Sequence, residues 1–159
     1  MNETKLATLD EEELHTLSKE VVPQILTFLE RAQYDSDRYG IPASALLIHA
    51  PVAFFPIMER HTRKTDIVKA LDRDLFFLLY PHTPLENGRV AFTNLIHRAE
   101  ERLPTPIEIH SAIIGIEPHA ESDPILSAQQ LLITLWQGIK NDRQTKVVKT
   151  HFKNPHGDF

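Results

Sequence analysis

The stretch from Arg63 to His82, RKTDIVKALDRDLFFLLYPH, decides the fold. Ile67 to Leu71 is apolar apart from Lys69, and Leu75 to Tyr80 is an unbroken apolar run rich in aromatic residues. Short apolar runs of this composition read as strands, and the polar cluster Asp72-Arg73-Asp74 between them reads as the tip of a hairpin. Pro81 stops the second strand, because proline has no N–H to give a ladder. The basic start of the stretch, Arg63-Lys64, marks the end of a preceding helix.

Upstream, residues 1–8 read as a loose tail. A helical pattern begins at Asp10, a suitable N-cap, with Glu11 to Glu13 favourable near the positive helix end. Pro23 is expected to break or kink it, with a fresh helix starting near Val22 and burying Ile25, Leu26, Leu29 and Ala32 as far as about Tyr34. Gly40 ends that element and Pro42 marks a loop. Ala43 to Ala50 is a buried-strand candidate, and Val52 to Thr62 reads as a short amphipathic helix burying Val52, Phe55 and Met58.

Downstream, Leu85 to Arg102 reads as a helix with Val90, Phe92, Leu95 and Ile96 inward, Thr83 as its cap and Pro84 at its first position. Ile107 to Ile116 is another apolar strand. Asp123 caps a helix from Pro124 to about Lys140 that buries Ile125, Leu126, Leu131, Leu132 and Leu135, and Thr145 to Phe152 closes the sheet at its edge. The order helix, β, α, β-hairpin, α, β, α, β gives an α/β (α+β) fold: a mixed, mainly antiparallel sheet of about five strands with helices packed on it. At 159 residues the chain is expected to be a single domain, 1–159, with a tail and helix over 1–22, a core over 23–152 and a loose end over 153–159.

The hairpin and this element order resemble the GGDEF domain family, the diguanylate cyclases, from about Thr27 to Val148. In that family the hairpin tip carries Gly-Gly-Asp/Glu-Glu-Phe, and here the five positions are Asp72, Arg73, Asp74, Leu75 and Phe76, of which the third and fifth match. The family's inhibitory site, Arg-x-x-Asp, ends five residues before the motif, and Arg63-Lys64-Thr65-Asp66 stands at that spacing. Tyr39-Gly40-Ile41-Pro42 is similar to the family's approach to its metal-binding strand, and Ser111 and Gly115 fall where its late strand has a Ser and a Gly.

The resemblance implies two divalent ions held over a nucleoside triphosphate by an Asp on the first strand and by acids at the hairpin tip. The first strand here ends Ile48-His49-Ala50-Pro51 with no carboxylate, and Leu75 replaces an acid beside Asp74. Asp72 and Arg73 stand in place of glycines that admit the nucleotide to the backbone. Pro51 and Arg63 are too close in sequence to hold the insertion that grips guanine and phosphates. Cyclase activity is therefore expected to be lost, with no catalytic residue, no cofactor and no metal.

The Arg-x-x-Asp motif survives and implies cyclic di-GMP as ligand. A guanidinium forks onto a phosphate or the guanine O6/N7 edge, and a carboxylate accepts from guanine N1 and N2. Arg63 and Asp66 are the expected contacts, with Asn94 and Arg98 from the following helix; the family's further arginine falls in register at Asn94, and Arg98, Arg60 or Lys64 would substitute for it. Against this stands an ordinary surface ion pair at i, i+3, worth about 0.3–0.5 kcal/mol.

The bulk properties agree with a cytoplasmic bacterial signalling module. A formal net charge of −5 disfavours a nucleic-acid binder. The absence of cysteine removes disulfide and thiolate chemistry. No apolar run approaches the ~20 residues that span a bilayer, and the start MNETKLATLDEEELH is too acidic for a secretory signal. The histidines are scattered rather than spaced as zinc ligands, Ser111 and Ser127 lack a neighbouring base, and Trp136 reads as core or dimer surface. Two functions follow: a catalytically inactive regulatory receptor for cyclic di-GMP, or a ligand-free scaffold for dimerisation or protein docking through the helix from Leu14 to Ala32. A residual GTP-using enzyme is a distant third.

Overall fold

The computed structural model describes residues 5–104, 107–121, 123–141 and 149–152. A short helix α1 (Lys5–Thr8) leads into the long α2 (Glu11–Tyr39), then β1 (Ala43–His49), α3 (Phe54–His61), the hairpin β2 (Ile67–Asp72) and β3 (Leu75–Tyr80), α4 (Leu85–Arg102), β4 (His110–Ile116), α5 (Pro124–Asn141) and β5 (Lys149–Phe152). The strands form one sheet in the order β2-β3-β1-β4-β5. The first four are antiparallel to their neighbours, and β5 runs parallel to β4 at the edge, across the α5 connection. Of the expected closing strand, residues 145–148 lie outside the described residues.

The central strands are buried on both faces because helices cover both. Ala45, Leu47, Phe77, Leu79, Ala112 and Ile114 point to α2 and α5, and Leu46, Ile48, Phe76, Leu78 and Ile113 point to α3 and α4. This period of two is the strand pleat, and it explains why β1 and β3 read as unbroken apolar runs. On the second side α4 approaches β1 closely at Gly88, where an added Cβ would strike the Ser44 side chain.

The chain departs from the sequence reading in several places. Lys5–Thr8 is helical rather than a loose tail. Pro23 does not break the helix: α2 runs unbroken to Tyr39, so the boundary expected between residues 22 and 23 falls inside it. Pro23 costs about 3 kcal/mol relative to alanine, but Val21, Val22, Ile25 and Leu29 are buried on either side of it, each contributing about 1.5–3 kcal/mol. Packing wins, and the proline ring stays on the exposed face. The ends of α2 follow the sequence: Asp10 and Glu13 form a reciprocal capping box (2.8 and 2.9 Å), and Gly40 closes it at φ 70° with its N–H on Ser36 O.

The buried faces of three helices differ from those expected. In α3 the buried residues are Phe54, Ile57 and Met58, while Val52 precedes the helix and is 63% exposed. Val90 on α4 is 60% exposed. Ile125 and Leu126 on α5 are exposed, its buried face being Ala128, Leu131, Leu132, Leu135, Trp136 and Ile139. Asp123 does cap α5, accepting from Ile125 N at 3.0 Å. Thr83 does not cap α4; Pro84 holds that position without a side-chain bond.

Candidate functional site

The candidate site is the base of the hairpin, where α3, β2, β3 and α4 meet. Thr62 ends α3 with its hydroxyl donating to Met58 O at 2.8 Å, and the chain turns through Arg63–Asp66 with Asp66 N donating to Arg63 O at 3.0 Å. The Asp66 carboxylate closes this turn. It accepts from the Arg63 backbone N at 2.7 Å, from Nε at 3.1 Å and from Nη2 at 2.9 Å. Nη2 also reaches Thr83 Oγ1 at 2.8 Å and Pro81 O at 3.4 Å, and the Thr83 hydroxyl donates to the same carbonyl at 2.8 Å. Arg63 therefore ties the helix end to the far end of the hairpin.

The two partners differ sharply in exposure: the Asp66 side chain is 1% exposed and that of Arg63 57%. Asp66 is buried against Arg63, while the Nη1 edge of the guanidinium carries no hydrogen bond among the described residues. Tyr80, next to the pair, has its hydroxyl pushed far above the ordinary tyrosine range, by burial first and the Asp66 charge second, against the pull of Arg63. A groove of about 360 Å³ runs beside Arg63, lined by His61, Tyr80, Thr83, Asn87 and Ala91 among others. Asn94 and Arg98 are exposed on α4, at the i+3 and i+7 positions from Ala91 on the same helix stripe. The charge of Arg98 is felt at His61.

Of the expected ligand contacts, Arg63 and Asp66 are thus together and line the groove, while Asn94 and Arg98 stand on the α4 stripe that continues from Ala91 and do not line it. Sequence reasoning missed His61, Tyr80, Thr83 and Asn87. Asn87 was legible, since it precedes Asn94 by seven residues and shares its stripe; Thr83 was read as a helix cap.

The hairpin tip has different chemistry. Asp72 Oδ1 accepts from Arg73 N at 2.8 Å, and a bulge between Ala70 and Asp72 bends β2 into the turn. Asp74 O accepts from Ala50 N at 3.1 Å, and its carboxylate lies 3.2 Å from His49 Nε2 at the end of β1. His49 is buried, and burial lowers its pKa below the ordinary histidine value against the opposing charge and hydrogen bond of Asp74. Leu75 and Phe76 are buried in opposite layers of the core. Among the described residues, no group of three or more His, Cys, Asp or Glu side chains is placed to hold a metal. Magnesium takes hard oxygen donors; the tip offers Asp72 and Asp74, the latter engaged by an imidazole. That donor set does not fit a pair of magnesium ions.

No family model and no curated protein matches the sequence. Solved structures do match. The GGDEF domain of FimX from Pseudomonas aeruginosa superposes with a TM-score of 0.64 at 10% identity, over 81% of this chain and 92% of that one. The active GGEEF domain of a diguanylate cyclase from Vibrio cholerae gives 0.63 at 11%, over 82% and 94%. The chain has the GGDEF fold. The GGDEF domain of DgcB from Caulobacter crescentus, solved in complex with c-di-GMP, gives 0.58 at 8%, over 78% and 84%. The hairpin expected from the sequence is present: β2 pairs antiparallel with β3, and Asp72 to Asp74 stand where the two strands meet at the tip. Among the described residues no helix is long and apolar enough to cross a membrane.

Proposed function

We propose that this chain is a catalytically silent GGDEF domain that binds cyclic di-GMP in the groove beside Arg63 and acts as a regulatory module in a bacterial cytoplasm. One observation carries the reading: Arg63 is fixed by Asp66 and Thr83 and lines a groove that it shares with His61, at which the charge of Arg98 is felt. A prefixed, weakly hydrated guanidinium loses little entropy on gripping a phosphate or a guanine edge. Asp66 is then a positioning residue that aims Arg63, rather than the guanine acceptor the motif alone suggests. Asn87 and Asn94 supply amides along the same helix stripe.

Silence rests on the tip. A two-ion phosphoryl-transfer site needs several carboxylates in one place, and here one is bound to His49 and its neighbour is a buried leucine. GTP with Mg²⁺ or Mn²⁺ is expected to give no product. Calorimetry with cyclic di-GMP tests the receptor reading: wild type binds at roughly micromolar Kd, about −8 kcal/mol, and Arg63→Ala does not. Because Arg63 also braces the hairpin, Arg98→Ala is measured beside it and is expected to weaken binding without unfolding the chain. Absence of heat from wild type at about 100 μM ligand, far above a micromolar Kd, removes the proposal.

A second reading, a ligand-free docking scaffold, has its own support. The Leu14 to Ala32 face of α2 is not free for a partner, since Leu14, Val21, Val22, Ile25, Leu29 and Ala32 are buried in the core. Tyr34, Tyr39 and Ile41 at the other end of α2 are exposed instead. A dimer seen by light scattering without nucleotide, and lost in Tyr34→Ser/Tyr39→Ser, would favour this reading.

A further inference from the structure

A second titratable group faces the same groove. His61, the last residue of α3, lines it beside Arg63, and its Nε2 is enclosed with no hydrogen-bond partner among the described residues. A buried, unsatisfied polar atom costs free energy unless something answers it. The charges that bear on it are cationic: Arg98 and Arg102 on α4, and Arg60 on α3. Partial burial and these three charges hold its protonation below the ordinary histidine range. The other walls bring Arg63 after α3, Asp66 and Tyr80 from the hairpin, and His82 and Thr83 from the β3–α4 loop. Asp66 is already covered by Arg63, and Tyr80 stays neutral. Among the described residues no carboxylate other than Asp66 lines this groove.

We propose that His61 is proton-linked to the ligand phosphate: an anion seated on Arg63 in the groove that His61 also lines favours the charged imidazole, which takes up one proton, so binding tightens as pH falls. The proposal rests on the cyclic di-GMP reading and gives that site its regulation. A phosphodiester stays anionic throughout the neutral range, so the proton belongs to the protein. Linkage fixes the size of the effect. One proton taken up strengthens binding by up to about tenfold per pH unit, between the free and bound pKa values of the imidazole.

The test is calorimetry of cyclic di-GMP binding to the full chain between pH 6 and 8, repeated in two buffers of different ionisation enthalpy. Wild type is expected to show a falling Kd with falling pH and a buffer-dependent heat corresponding to uptake of up to one proton. His61→Asn keeps binding but loses both signatures, and His82→Asn keeps both. The His61 ring proton resonances, followed by NMR, titrate at higher pH with ligand than without. Binding of equal strength across the range, or a pH slope that survives His61→Asn or vanishes in His82→Asn, overturns this inference while leaving the receptor reading in place. No binding at any pH overturns both.

Discussion

Removing the Asp66 carboxylate separates two accounts of the Arg63–Asp66 pair by magnitude. As an exposed i, i+3 ion pair it would contribute about 0.3–0.5 kcal/mol. The geometry is different: a carboxylate only 1% exposed accepts three hydrogen bonds of 2.7–3.1 Å from one residue. Hydrogen bonds to charged groups are worth about 1.5–3 kcal/mol each, but they do not add here. The Arg63 guanidinium is 57% exposed and regains water when its partner is lost, and the freed backbone N–H sits in a surface turn. Discounting for that screening, Asp66→Ala is expected to cost about 2–3 kcal/mol. Asp66→Asn is expected to cost less, because its amide oxygen still accepts from the backbone N–H. Urea unfolding followed by circular dichroism reads both, with an unchanged m-value confirming that the native state is what changed. A loss below about 0.5 kcal/mol for the alanine variant would refute the claim that this pair anchors the hairpin base, and with it the view that Asp66 aims Arg63.

Three further outcomes are expected. Pro23→Ala, at an exposed position inside α2, restores an i→i−4 hydrogen bond and stabilises by about 1–3 kcal/mol; a destabilised variant would mean that the helix is broken there after all. Gly88→Ala places a methyl against Ser44, and overpacking outweighs the helix-propensity gain by about 1 kcal/mol; Ser44→Ala in the same chain recovers most of the loss, because it also deletes a buried hydroxyl with no partner. Burial holds the His49 pKa in the folded chain below the ordinary histidine value, so the unfolded chain takes the proton first, and stability falls as pH drops from about 6.5 toward the folded value but is flat above. His49→Gln removes that part of the acid sensitivity, read as the difference between two urea-midpoint profiles, since His61 shifts in the same direction and remains in both.

The architecture was legible because its signals were redundant. The Leu75–Tyr80 run, the polar tip and Pro81 all specify one strand end, and β3 lies between β2 and β1, its register with β1 continuous and that with β2 shifted only at the bulge between Ala70 and Asp72. Asp10 and Gly40 likewise fixed the ends of α2 by local chemistry. What the sequence hid was decided by packing at a distance. Pro23 looks like a helix breaker until the residues around it are seen buried on α5 and the sheet. Thr83 looks like a cap until Arg63, twenty positions earlier, takes its hydroxyl. The motif named Arg63 and Asp66 correctly as a pair, yet spacing carries no burial, so it could not separate a carboxylate facing a ligand from one enclosed behind an arginine.

Both ends of the hairpin are held by one carboxylate each. At the base Asp66 holds Arg63, which reaches Pro81 and Thr83; at the tip Asp74 meets His49 while its carbonyl takes Ala50 N. A nucleotide-processing tip needs its acids free for cations and its backbone open for phosphates. Here the tip acid is engaged by an imidazole and the turn carries the side chains of Asp72 and Arg73. The consequence is a hairpin fixed at two points about a strand length apart, which makes it a rigid wall for the groove on the α4 side. A ligand in that groove would touch Arg63 on the wall and Arg98 on the helix, so its binding energy would bear on the seam between hairpin and α4 rather than on the tip. The proposed regulation therefore predicts that ligand slows hydrogen exchange in β2 and the first turns of α4 and leaves the tip residues Asp72 to Asp74 unchanged. Protection concentrated at the tip would place the ligand in the wrong site.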